Sequence, residues 1–135
     1  MAGPLERLNS SINNSATIVE NAGVNIPGPA HKAVMYDTNG NVVVATSGEV
    51  AIGTVLSSSL DPIVAGRQVH IAIKYIVLME VGAAVAKGAL ITVNATGQAI
   101  TAAAGSFIFG RAFEAATEAG QVIQVQINQM GFMPA

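Results

Sequence analysis

The chain is 135 residues long, with 6 Lys+Arg against 8 Asp+Glu, a net charge of −2, and no cysteine. One domain of that length buries roughly two-thirds of its unfolded surface without staples, and the absence of cysteine excludes disulfides, thiolate metal sites and a cysteine nucleophile. With no basic excess, 4% aromatics and no Trp, the chain lacks the residues for phosphate neutralisation or base stacking, so no nucleic-acid partner is expected.

Only 10% of residues are charged and 51% are hydrophobic, where ordinary soluble domains carry about 25% charged residues. A small domain has too much surface to hide that much apolar material alone, which points to a permanent partner surface. No window reads as a membrane span, because Glu80 and Lys87 interrupt the most apolar stretch before it reaches ~18 residues. The first 15 residues contain no apolar core of a secretory signal, so synthesis in a cytoplasm is the expectation.

Residues 1–30 are rich in Asn and Ser and end in Asn-Ile-Pro-Gly-Pro-Ala. Pro27 and Pro29 disfavour a regular helix there. The stretch reads as an extended N-terminal arm with a short strand at 16–20, and residues 31–135 as a β-rich domain. Ile12, Ile18, Val19, Val24 and Ile26 are more aliphatics than a solvated tail carries, which marks the arm as a docking element.

From Ala33 the pattern is short strands punctuated by glycine. Residues 33–37 and 41–46 flank Thr38-Asn39-Gly40, and Asn-Gly is a strong hairpin signal. Residues 48–56 follow, then a Ser/Asp/Pro loop. Residues 67–80 read as one long strand, with Val69, Ile71 and Ile73 alternating against His70, Ala72 and Lys74. A second hairpin, 90–101, turns near Gly97. Residues 106–115 and 121–128 close the domain. No helical period is visible after residue 30.

The chain also repeats internally. Gly40, Gly48 and Gly53 match Gly97, Gly105 and Gly110, each 57 positions apart; Gly66, Val69, Ile71 and Ile73 match Gly120, Ile123, Val125 and Ile127, each 54 apart. The change of offset places a three-residue insertion in the loop Ser57–Pro62. Two similar hairpin-plus-strand units are implied, so the expected fold is all-β, a small barrel or a sandwich. Gly40 and Gly97 sit where a turn needs positive φ. Gly53 and Gly110 sit inside strand runs, where glycine marks a bend or a close backbone approach.

The residues for chemistry are sparse. His31 and His70 are the only histidines, too few for a zinc site, and His70 lies on the outer face of an alternating strand. No P-loop, dinucleotide or nucleophile-elbow pattern occurs. Glu114 and Glu118 lie in a loop whose counterpart in the first unit has no such pair, and Asp37 and Asp61 read as turn acids. No catalytic residue, metal or cofactor is expected, and the chain does not read as an enzyme.

The second half carries a resemblance. Gly-x-x-Val-x-x-Gly at 82–88, the hairpin glycine Gly97, the run Gly110-Arg-Ala-Phe-Glu-Ala115, Ala119-Gly120 and the alternating 121–127 together resemble the capsid cement or decoration proteins of tailed bacteriophages, small head-stabilising proteins. The resemblance spans residues 48–127 and leaves the N-terminal arm uncovered. It implies a β-rich structural virion protein, often a homotrimer, that binds the outside of an assembled capsid and stabilises it by bridging major capsid protein subunits. The alternative is the base domain of a head fibre, or a receptor- or glycan-binding module; the scarcity of aromatics counts against glycans.

Overall fold

The computed structural model describes residues 15–57 and 59–135. Ten strands form two five-stranded antiparallel sheets, and the described residues contain no helix. The first sheet holds β1 (Thr17–Asn21), β2 (Ala33–Tyr36), β3 (Val42–Val44), β4 (Gly53–Val55) and β5 (Gln68–Ala72), in the order β1-β5-β4-β2-β3. The second holds β6 (Ile76–Glu80), β7 (Leu90–Val93), β8 (Ala99–Thr101), β9 (Phe107–Ala112) and β10 (Val122–Phe132), in the order β6-β10-β9-β7-β8. Strand for strand the two orders are the same, so the internal repeat is a repeat of topology. The arrangement is sandwich-like, and of the two expected forms the closed barrel is not the one adopted. Each sheet nevertheless curls strongly: single parallel bridges, Ala22 to Val42 and Val81 to Ala99, link the residue after the first strand of each unit to its third strand.

The hairpin turns form as their residues require. Asp37 Oδ1 accepts the backbone N–H groups of Asn39 and Asn41, and Asn94 Oδ1 accepts those of Thr96 and Gln98. Such Asx turns close the loop, with Gly40 at φ 79° and Gly97 at φ 74° taking the left-handed position.

Two readings of the sequence need correction. The run 67–80 is two strands, not one. Tyr75 adopts φ 70° at a bend, and the two strands belong to different sheets, so β5 ends the first unit and β6 begins the second. The second concerns residues 17–26. β1 pairs with β5 from Thr17–Ala72 to Asn21–Gln68, and Ile26 exchanges both backbone hydrogen bonds with Ile63 (2.8 and 3.0 Å). This half of the expected arm therefore belongs to the first sheet and its core. β1 is the counterpart of β6, 59 positions on. The last strand also runs past residue 128: its register slips between Ile127 and Gly131, and Phe132 then pairs with Phe107, edge to face at 5.5 Å.

Each unit has its own core. Ala22, Ile26, Val34, Val42, Val55, Ile63, Val69 and Ile71 fill the first. Phe109, Met79, Ile91, Val93, Ile123 and Val125 are among the residues that fill the second, and Ala33, Ala45 and Ala51 of the first unit join that cluster. Direct hydrogen bonds tie the units together, from Ala33 N–H to the Gly97 carbonyl (2.8 Å), Gly48 N–H to the Val93 carbonyl (3.0 Å) and Gln129 Nε2 to the Ala51 carbonyl (2.9 Å).

Candidate functional site

The described surface is short of charge pairs and well supplied with exposed aliphatics. Among the described residues one salt bridge occurs, Lys32 Nζ to Glu80 at 3.1 Å, and it joins the two units. Gln98 Nε2 donates to the same carboxylate at 2.6 Å. Partial burial raises the Glu80 carboxyl's pKa, but the hydrogen bonds from Gln98 and Lys32 and the charges of Lys32 and His31 outweigh that effect and hold it below its ordinary value. Glu80 is thus a structural clasp, fully engaged by its neighbours.

A groove of about 750 Å³ lies between the β4–β5 loop and the outer face of β5. Its walls follow from how the loop is anchored. Leu56 N–H bonds the His70 carbonyl (3.1 Å), Ile63 is pinned to Ile26, and Gly66 N–H bonds the Ala22 carbonyl (2.8 Å). Asp61 Oδ1 accepts the Gly28 N–H and Asn25 Oδ1 accepts the Ala65 N–H, both at 2.9 Å. The segment 22–28 therefore holds the loop as a shelf. Leu60 (78% exposed) and Val64 (51%) stand out from it, while Ile63 turns inward at 4%. Leu56, Arg67 and His70 complete the wall. This loop carries the three-residue insertion that separates the two repeats.

Leu56 also borders a smaller hollow of about 210 Å³, lined in part by His31, Ala72, Ile76 and Leu78. Ile76 and Leu78 lie on the outer face of β6, opposite Gln126 and Gln124 of β10, and both are exposed. An almost uncharged apolar band thus runs from the loop across to the second sheet.

The aliphatics singled out in the arm divide. Ile12 lies outside the described residues. Ile26 is fully buried and Ile18 packs against the first core, so these two are spent on the fold. Val19 and Val24 remain exposed, each at 48%. Of the structural glycines, Gly40 and Gly97 make the turns as expected; Gly53 and Gly110 do not have positive φ, and the demand there is for space. The groove residues Leu60 and Val64 were missed by the sequence reading, although the insertion marked their loop.

Among the described residues no three His, Cys, Asp or Glu side chains gather to hold a metal, and no helix is long and apolar enough to cross a membrane. Glu114 accepts the Gln124 N–H at 2.8 Å, and Asp37 and Asp61 cap turns and loops.

No curated protein matches the chain. Among solved structures it is similar to the head fibre gp8.5 N base of bacteriophage phi29, at 20% identity and a TM-score of 0.66 over 85% of this chain and 95% of that one. That likeness is one of fold. The sequence over residues 58–127 matches the phage cement protein family, a stretch that includes the groove loop, β5 and almost all of the second unit. The chain belongs to the phage cement protein family.

Proposed function

We propose that this protein is a non-catalytic structural component of the virion. It binds the outside of the assembled capsid, as a homotrimer and without a cofactor, and stabilises the shell by bridging neighbouring major capsid protein subunits. The observation that carries this reading is the family match over residues 58–127; the apolar, weakly charged band on the surface supports it. A protein that binds the assembled shell and not free subunits stabilises assembly by mass action, by about 2.7 kcal/mol per site at a hundredfold excess over Kd. Bridging several subunits adds avidity, provided that the lattice spacing suits. Closed rotational symmetry would let three copies cover apolar surface without open-ended growth.

The test is co-sedimentation with capsids lacking the protein, followed by heating. The protein is expected to pellet with assembled shells and not with free subunits, and decorated shells are expected to release their contents at higher temperature. Absence of binding overturns the reading. Sedimentation velocity checks the trimer; a monomer at high concentration and on the shell removes it. The likeness to a head fibre base favours one alternative, that the protein seats a fibre on the shell. In that case a second virion protein is recruited by the bound copies and shell stability is unchanged.

A further inference from the structure

We infer that the groove between the β4–β5 loop and β5 is where the protein grips the shell, and that it takes an apolar, carboxylate-bearing segment of the capsid subunit. This rests on the capsid-binding reading above. Three observations locate the site. The loop departs from the repeat by three residues, although the second unit closes the same topology without them. The fold holds the loop firmly at Ile63, Ala65 and Gly66, yet presents Leu60 and Val64 to solvent at 78% and 51%. A preformed apolar shelf of that kind costs little to order on binding. All of the loop from Ser59 onward, with the β5 wall, lies within the family match.

The charge of the groove defines the occupant. Its lining contains Arg67 and His70 and no carboxylate, in a chain whose net charge is −2. Asp61, the acid nearest in sequence, is engaged by the Gly28 N–H. Arg67 makes no ion pair among the described residues. A guanidinium at the rim of an apolar trough fits a partner segment that offers aliphatic side chains and one acid.

The experiment uses the full chain and capsids that lack it. Leu60→Asp and Val64→Asp place a charge on the shelf at positions too exposed to hold up the core, and Arg67→Glu reverses the rim charge. Ala103→Asp, exposed on the β8–β9 loop, is the control. Co-sedimentation is expected to show at least tenfold weaker capsid binding for the three groove variants and parental binding for the control, with all four melting like the parent. Parental binding by the groove variants overturns the inference and leaves the cement reading standing. Failure of the parent itself to bind overturns the cement reading, and the inference with it. Sedimentation velocity separates another occupant: if Leu60→Asp dissociates the free oligomer, a second copy fills the groove and the inference falls. It falls equally if an apolar fluorescent dye enters the groove only after residues 1–14 are deleted, because the chain's own N-terminal segment then fills it.

Discussion

Gly53 and Gly110 offer the sharpest test of the duplicated architecture. Neither has positive φ, so adding a Cβ strains nothing in the backbone itself. What it meets is the neighbouring strand. At Gly53 an added Cβ overlaps the Ala72 carbonyl oxygen and lies 2.7 Å from Ile71 Cγ2; at Gly110 it overlaps the Gln126 carbonyl oxygen and lies 3.0 Å from its carbon. Ala72 and Gln126 are themselves equivalent, 54 positions apart, so both units make the same close approach. The obstacle is backbone held in a ladder and cannot swing away as a flexible side chain would. Overpacking of this kind costs about 1–3 kcal/mol, and the fixed neighbour argues for the upper end. Gly40 is the contrast: φ is 79° and a Cβ meets nothing within 4 Å, so Gly40→Ala costs only the left-handed penalty of about 1 kcal/mol. For a chain of this size about 1 kcal/mol corresponds to roughly 3–5 °C in Tm. Thermal melts are expected to place Gly53→Ala and Gly110→Ala together, about 9–15 °C below the parent, and Gly40→Ala about 3–5 °C below. Parental melting by either strand variant, or a larger loss at Gly40, refutes the reasoning.

Other perturbations probe separate parts of the molecule. Ile26→Ala removes a fully buried side chain of the first core and should cost about 2–5 kcal/mol in chemical denaturation; a loss below about 0.5 kcal/mol would return residues 17–26 to a docking arm. Thr92 is 2% exposed and its Oγ1 has no hydrogen-bond partner, so Thr92→Val should stabilise the protein by about 1 kcal/mol, and a destabilised variant would reveal a missed partner. The Glu80 carboxyl has a lowered pKa in the fold, so its contribution is present above the ordinary carboxylate pKa and fades as pH falls through the lowered value. Stability measured from pH 6 downward should therefore fall more steeply in the parent than in Glu80→Gln, and parallel curves would show that the clasp contributes nothing; because Glu80 is only partly buried and solvent screens it, the difference should be small.

The hairpins were legible because their chemistry is local. Thr38-Asn39-Gly40 and Ala95-Thr96-Gly97 need only an Asx acceptor and a left-handed glycine, and both are visible in the residues themselves. The boundary between the units was not legible, because the turn after β5 contains neither glycine nor proline. Ile73, Lys74 and Tyr75 continue the alternation of the strand, and the bend there has Tyr75 at φ 70° with its carbonyl accepting the Ile127 N–H (2.8 Å), a contact between segments far apart in sequence. That hidden boundary also concealed the role of β1. Its counterpart β6 lies at an offset of 59, outside the 57 and 54 of the glycine matches, so the first strand of the repeat read as an arm. The groove was half visible: the insertion was countable, but which loop residues face inward is decided by the Ile26–Ile63 bridge, a contact between segments far apart in sequence.

The duplication bears on how one small domain would bridge a lattice in the function proposed above. Contact with two shell subunits adds avidity only when the spacing between the contact surfaces is held, since a loose joint spends the gain on ordering. Here the joint is not loose. Ala33, Ala45 and Ala51 are packed within the second core, backbone bonds run from Ala33 to Gly97 and from Gly48 to Val93, and the Lys32–Glu80–Gln98 clasp closes over the seam. Two units of one topology are thereby held at one spacing. Their departures from symmetry then become meaningful, because equivalent positions have the same structural duties. Thr17 and Val19 of β1 correspond to Ile76 and Leu78 of β6, and the β4–β5 loop to the shorter β9–β10 loop. Ile76 in place of Thr17 and the longer loop each add exposed aliphatic surface beside Leu56, whereas Val19 and Leu78 are both exposed. Concentrated on one side of a rigid two-unit body, that surface is where the proposed bridge between shell subunits would make its contacts.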